Sequence, residues 1–71
     1  MIVVSVYKLD QKMGTITCDS KSDRMTIQGD SDFVDFIESL NDDDYASNRE
    51  FARDLPERLG SYIYAQIDSD G

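Results

Sequence analysis

Hydrophobic and polar residues alternate at both ends of the chain, and between them the period lengthens to that of a helix. Residues 2–9 are β-branched and aromatic, with Ile2, Val4 and Val6 on one face and Val3, Ser5, Tyr7 and Leu9 on the other. Apolar side chains on both faces predict a central strand. Residues 10–14 read as a turn, with Gly14 able to take positive φ. Residues 15–19 alternate again, with Ile16 and Cys18 on one side, and a second turn at 20–23 leads into a strand at 24–28 that carries Met25 and Ile27 on one face.

After Gly29 the spacing of Phe33, Val34, Phe36, Ile37 and Leu40 is that of one apolar helix face. Asp30 or Ser31 caps its first amides, and residues 41–45 end it. Ser47 with Glu50 three residues on has the form of a capping box for a second helix, whose apolar side is Phe51, Ala52, Leu55 and Leu59. Pro56 removes the bond to Ala52, so a break or kink is expected at Asp54–Leu55, and Gly60 stands where a helix C-terminus favours glycine. Residues 61–68 alternate once more, Ile63, Ala65 and Ile67 against Tyr62, Tyr64 and Gln66. Residues 68–71 hold no apolar side chain and read as a frayed end.

The element order is therefore βββααβ in a single domain spanning 1–71. Two hairpins place the first three strands side by side, and strand four pairs beside strand one, giving an antiparallel sheet in the order 3-2-1-4. Two helices pack on the face bearing Ile2, Val4, Val6, Ile16, Cys18, Met25, Ile27, Ile63, Ala65 and Ile67. The class is a small α+β domain with one open sheet face.

Composition changes the picture in one respect. Fifteen acidic side chains face seven basic ones and no histidine, for a formal charge of −8. Twelve of those acids are Asp, which favours caps and turns over helix interiors. Leu, Ile, Val and Phe make up 17 of the 71 residues, enough apolar content for a folded domain rather than a disordered chain. Such a charge repels nucleic acid and anionic membrane and attracts basic protein surfaces. It also suits solubility in a high-salt cytoplasm. No apolar run is long enough for a membrane span, and the run at 2–6 lacks the length and basic flank of a signal peptide. A cytoplasmic location is expected.

Signatures of catalysis are missing from the sequence. Without histidine, no serine or cysteine nucleophile has its usual base. Cys18 shares a face with Ile16 and reads as a small core residue. The four glycines are scattered, so no phosphate loop is present, and the acidic clusters follow no EF-hand spacing. The expectation is a protein that is not an enzyme and that takes no cofactor and no dedicated metal.

Two surfaces remain. Asp32, Asp35, Glu38 and Asp42 lie away from the apolar stripe of the first helix, about 4.5–6 Å apart along its axis. Asp43 and Asp44 extend that line. Carboxylates arrayed on a rigid element take the place of backbone phosphates on a protein built to hold DNA or RNA. The second surface is the open sheet face, where Val3, Tyr7, Tyr62 and Tyr64 gather an apolar body with hydroxyl groups, a combination favoured at interfaces. This second reading makes the chain a structural or regulatory interaction module, as a monomer or a homodimer.

The whole profile is short, acidic and without catalytic residues, with one sheet and two helices. It resembles small inhibitors encoded by viruses and mobile elements, among them anti-restriction proteins, anti-CRISPR proteins and inhibitors of uracil-DNA glycosylase. The resemblance is one of composition and covers no alignable segment. It implies a non-enzymatic inhibitor whose partner is a basic, nucleic-acid-handling protein, bound through Asp32, Asp35, Glu38, Asp42, Asp43 and Asp44.

Overall fold

A computed structural model of the chain describes residues 1–41 and 45–71. Strands β1 (Ile2–Lys8), β2 (Gln11–Cys18) and β3 (Met25–Gly29) form a meander. Helices α1 (Ser31–Leu40) and α2 (Asn48–Arg58) follow, and β4 (Ile63–Asp70) returns to the sheet. All pairings are antiparallel and the order is β3-β2-β1-β4, as the periodicity predicts. The most apolar strand is central, where both its edges are hydrogen-bonded.

The hydrophobic layer forms where the two periods meet. Ile2, Val4, Val6, Ile16 and Cys18 on the sheet pack against Phe33 and Ile37 of α1 and Phe51, Ala52 and Leu55 of α2, all of them buried. Met25, Ile27, Ile63, Ala65 and Ile67 share that face but are only half-buried. They belong to the two edge strands, at the rim of the layer.

Four expectations are corrected. The first turn is two residues, Leu9 and Asp10, rather than residues 10–14, and Leu9 itself takes the positive φ of 55°. Gly14 has no positive φ and lies inside β2 opposite Gly29 of β3. Its missing side chain serves packing. A Cβ at Gly14 would stand 2.4 Å from the Phe33 ring, and one at Gly29 would stand 2.5 Å from it. The two glycines form the socket that admits Phe33. Next to it, Tyr7 pairs with Lys12 and Val6 with Gly14, which leaves Met13 as the extra residue of a bulge.

The second helix continues through Pro56 to Arg58 instead of breaking before it. Pro56 lies in the last turn, close to the Leu59 N–H to Leu55 carbonyl bond of 3.0 Å that ends the helix. Phe51, Ala52 and Leu55 are anchored in the core around it, so a single lost backbone bond does not end the helix there. Gly60 follows the Leu59 cap without adopting a left-handed φ.

The chain end is also paired rather than frayed. β4 continues to Asp70, which stands opposite Ile2, and the Gly71 N–H reaches the Met1 carbonyl at 3.4 Å. A second bulge makes this possible. Val4 pairs with Ile67 and Val3 with Ser69, so Asp68 is the extra residue. The bulge reverses the alternation beyond it and turns Asp70 to the helix side, where Arg53 of α2 donates to its carboxylate at 2.9 and 3.1 Å.

Candidate protein-binding site

The acidic residues divide by what holds them. Asp30 is the N-cap of α1, accepting from the Phe33 N–H at 2.8 Å. Asp19 closes the β2–β3 turn by accepting from the Lys21 N–H at 2.8 Å, and that bond holds its carboxyl below the usual carboxylate range. Asp54 accepts from the Tyr45 hydroxyl at 2.8 Å, and the same oxygen of Tyr45 accepts from Arg58. The bond to Asp54 pushes the Tyr45 phenol up. Asp68 accepts from Ser5, and Asp70 from Arg53, whose hydrogen bond holds the Asp70 carboxyl low.

Asp23 makes the most extensive of these attachments. It sits at φ 61° in the β2–β3 turn and reaches across to the start of α2. Its two oxygens accept from the Asn48 and Arg49 N–H groups at 2.9 and 2.8 Å, which holds its carboxyl low, the Asn48 bond first. The side chain of Asn48 returns a bond to the Asp23 carbonyl at 2.9 Å and accepts one from Asn41 at 3.0 Å. Arg49 donates to the Ser20 carbonyl at 2.8 Å. An acid of the chain itself thus occupies the anion-favouring N-terminus of α2. Sequence reasoning placed Asp23 in a turn and missed this clasp. Its partners lie 25 and 26 residues away, and no local spacing encodes them.

Asp32, Asp35 and Glu38 are different. All three are exposed on α1, spaced at every third residue, and none makes a hydrogen bond or ion pair among the described residues. The row rises about 9 Å along the helix axis at 1.5 Å per residue. Glu38 also stands at the rim of a shallow groove of ≈ 450 Å³ between α1, β3 and the start of α2, floored by Met25, Ile27 and Val34. The expected continuation of the row through Asp42, Asp43 and Asp44 lies outside the described residues.

On the open sheet face Val3, Tyr7 and Tyr64 are half-buried. Tyr7 and Tyr64 stand opposite each other on β1 and β4 and stack with ring centroids 5.3 Å apart and planes at 18°. Ser5 is fully buried beside them. Tyr62 lies before β4 and is exposed, with the Lys8 ammonium 5.5 Å from its ring centre. The structure therefore joins two of the three tyrosines and sets the third apart.

Cys18 is buried in the core, and burial pushes its thiol up, away from the reactive thiolate. Among the described residues, no three His, Cys, Asp or Glu side chains converge as metal ligands. No described helix is long and apolar enough to cross a membrane. No family model, curated protein or solved structure matches this chain.

Proposed function

We propose that the chain is a non-enzymatic binding protein of the cytoplasm that blocks a basic, nucleic-acid-handling protein by presenting carboxylates in place of phosphates. The observation that carries this reading is the contrast among the acids. Asp19, Asp23, Asp30, Asp54, Asp68 and Asp70 each accept a hydrogen bond within the fold, whereas Asp10, Glu50, Glu57 and the row Asp32, Asp35 and Glu38 have no internal partner among the described residues, and three of these six follow one another along a single helix. A rigid helix holds the row, so little ordering entropy is lost when Lys or Arg side chains meet it. The groove beside Glu38 supports the same reading. Met25, Ile27 and Val34 offer an apolar floor for the aliphatic stem of a Lys or Arg whose head reaches the carboxylate.

The test is capture from a lysate of the cells that make the chain, with wild type set against a variant carrying Asp32→Asn, Asp35→Asn and Glu38→Gln. Wild type is expected to recover a nucleic-acid-binding protein that duplex DNA and about 0.5 M NaCl both release. The triple variant is expected to bind that protein about tenfold more weakly or worse. Equal binding by the variant, or recovery of no nucleic-acid-binding protein, overturns the reading. A second reading draws on the stacked Tyr7 and Tyr64, which offer a protein partner an aromatic patch on the uncovered sheet face. It predicts binding that Tyr64→Ala weakens and salt leaves unchanged.

A further inference from the structure

The two edges of the sheet are protected unequally. β3 is five residues long and is flanked by Arg24 and Asp30, while a helix packs on each edge strand alike, α1 on β3 and α2 on β4. β4 is eight residues long, and residues 61–67 carry neither charge nor proline, the devices that usually guard an edge. The hydrogen-bond phase of β4 follows from one bond and the register. The Leu9 N–H donates to the Tyr62 carbonyl at 2.9 Å, and the pairs Tyr7–Tyr64 and Ser5–Gln66 continue that phase. In an antiparallel pair the intervening residues turn their backbone groups away from the partner strand. Ile63, Ala65 and Ile67 therefore direct N–H and C=O groups outward, and nothing among the described residues bonds to them. The side chains of the same three residues are only half-buried.

We infer that β4 pairs with β4 of a second copy of this chain, about a two-fold axis at Ala65, to form a continuous eight-stranded sheet. The run Ile63-Tyr64-Ala65-Gln66-Ile67 is nearly palindromic, which suits an isologous contact. Antiparallel pairing centred on Ala65 sets Ile63 beside Ile67 of the second copy twice over, places the small Ala65 on the axis, and sets Tyr64 beside Gln66. All three outward-facing residues then exchange backbone hydrogen bonds. The bulge at Asp68 ends the flat run and limits the pairing to this segment.

Charge favours this edge over any other surface for self-association. The acidic row is on α1, which packs over β3 at the opposite side of the sheet. In the paired sheet the two β3 strands lie seven spacings apart, about 34 Å at about 4.8 Å each. That exceeds a Debye length of about 8 Å at physiological ionic strength, so the two acidic rows scarcely repel. Assembly stops at two copies, because among the described residues the only edges left are the guarded β3 strands. The inference does not depend on what the acidic row binds.

Sedimentation of the wild-type chain tests it, over about 10 µM to 1 mM, the range expected of a small edge contact. The weight-average mass is expected to double from 8.1 kDa. Ala65→Pro removes an outward N–H that β1 does not use and is expected to remain monomeric over the same range. Amide exchange on the wild type supplies a readout that needs no variant. The Ile63, Ala65 and Ile67 amides are expected to gain about tenfold or more protection as concentration rises, with no such gain at Tyr64 or Gln66, whose amides β1 already holds. A monomer throughout, a folded Ala65→Pro variant that still dimerises, species larger than a dimer, or exchange at these three amides independent of concentration would each overturn the inference.

Discussion

Helices α1 and α2 are nearly equal in length, ten and eleven residues, and each begins with a side-chain oxygen accepting from an amide of its first turn. Each buries large apolar side chains against the same sheet. They differ in the use of charge. On α2, Arg49, Arg53, Asp54 and Arg58 all bond to other parts of the fold. On α1, which has no basic residue, Asp32, Asp35 and Glu38 bond to nothing described. One helix is a brace whose three arginines and Asp54 are consumed internally, with Glu50 and Glu57 left exposed. The other is held by its apolar face and the Asn41–Asn48 bond at its C-terminal end, and keeps its charge for solvent or a partner.

If the difference concerns charge and not packing, truncating either apolar anchor should be equally costly. Phe33→Ala and Phe51→Ala each remove a fully buried ring and are expected to destabilise by about 3–5 kcal/mol, read from urea midpoints. This is the largest effect expected, and for so small a domain it approaches the whole stability. A much smaller loss for Phe33→Ala would mean that α1 is only loosely docked and would break the comparison.

Charge substitutions should then separate the helices. Asp23→Ala removes the acceptor that ties the β2–β3 turn to α2 and leaves the Asn48 and Arg49 amides without their partner. By analogy with lost helix caps, the melting temperature is expected to fall by roughly 5–10 °C. Asp35→Asn on α1 is expected to leave it unchanged or slightly raised. Equal effects at the two positions would erase the distinction.

These contrasts were unevenly legible in the sequence. Period-two and period-3.6 patterns identified every strand and helix, and the caps at Asp30 and Ser47 are local signals that the structure bears out. The acidic row was legible too, because three residues on one helix face need only helical spacing. The rest depended on contacts distant in sequence. An extra residue in a strand, Met13 or Asp68, is invisible to a count of alternation, so the pairing of Asp70 with Arg53 could not follow from it. The Gly14–Gly29 socket exists only once β2 and β3 are in register and Phe33 lies over them. Asp23 looked like an ordinary turn former until α2 was placed beside it.

Acid should weaken the attachments that Asp19, Asp23 and Asp70 make. Asp19, Asp23 and Asp70 have folded pKa values held below the unfolded value of about 3.9, by the Lys21 amide, the Asn48 amide and the Arg53 hydrogen bond respectively. A depressed carboxylate contributes stability that is present above its unfolded pKa and lost as pH falls through the folded value. The melting temperature of the wild type is therefore expected to drop below about pH 4. Asp23→Asn removes one of the three shifted groups and should flatten that drop. An unchanged acid slope in this variant would mean that the clasp contributes nothing to the linkage.

Salt provides the smallest and most selective test. Asp32, Asp35 and Glu38 are like charges three residues apart on one face, an arrangement that mildly destabilises a helix. Asp32 gains something from the helix N-terminus, but that benefit fades within the first turn and does not reach Glu38. The repulsion is long-ranged in dilute buffer, where the Debye length is about 30 Å at 0.01 M, and shrinks to several ångströms at about 0.5 M. Salt also screens the exposed Arg53–Asp70 pair, which works in the opposite direction but is a single surface pair of the kind that contributes little. With a net charge of −8 the repulsive side is the larger. The wild-type melting temperature at pH 7 is expected to rise by about 2–4 °C between those salt concentrations. In the variant Asp32→Asn, Asp35→Asn, Glu38→Gln the rise should shrink by about half, with the low-salt melting temperature already higher than that of the wild type. A triple variant with the full wild-type salt response would place the repulsion elsewhere, and the carboxylates of α1 would then be no more strained than any solvated helix face.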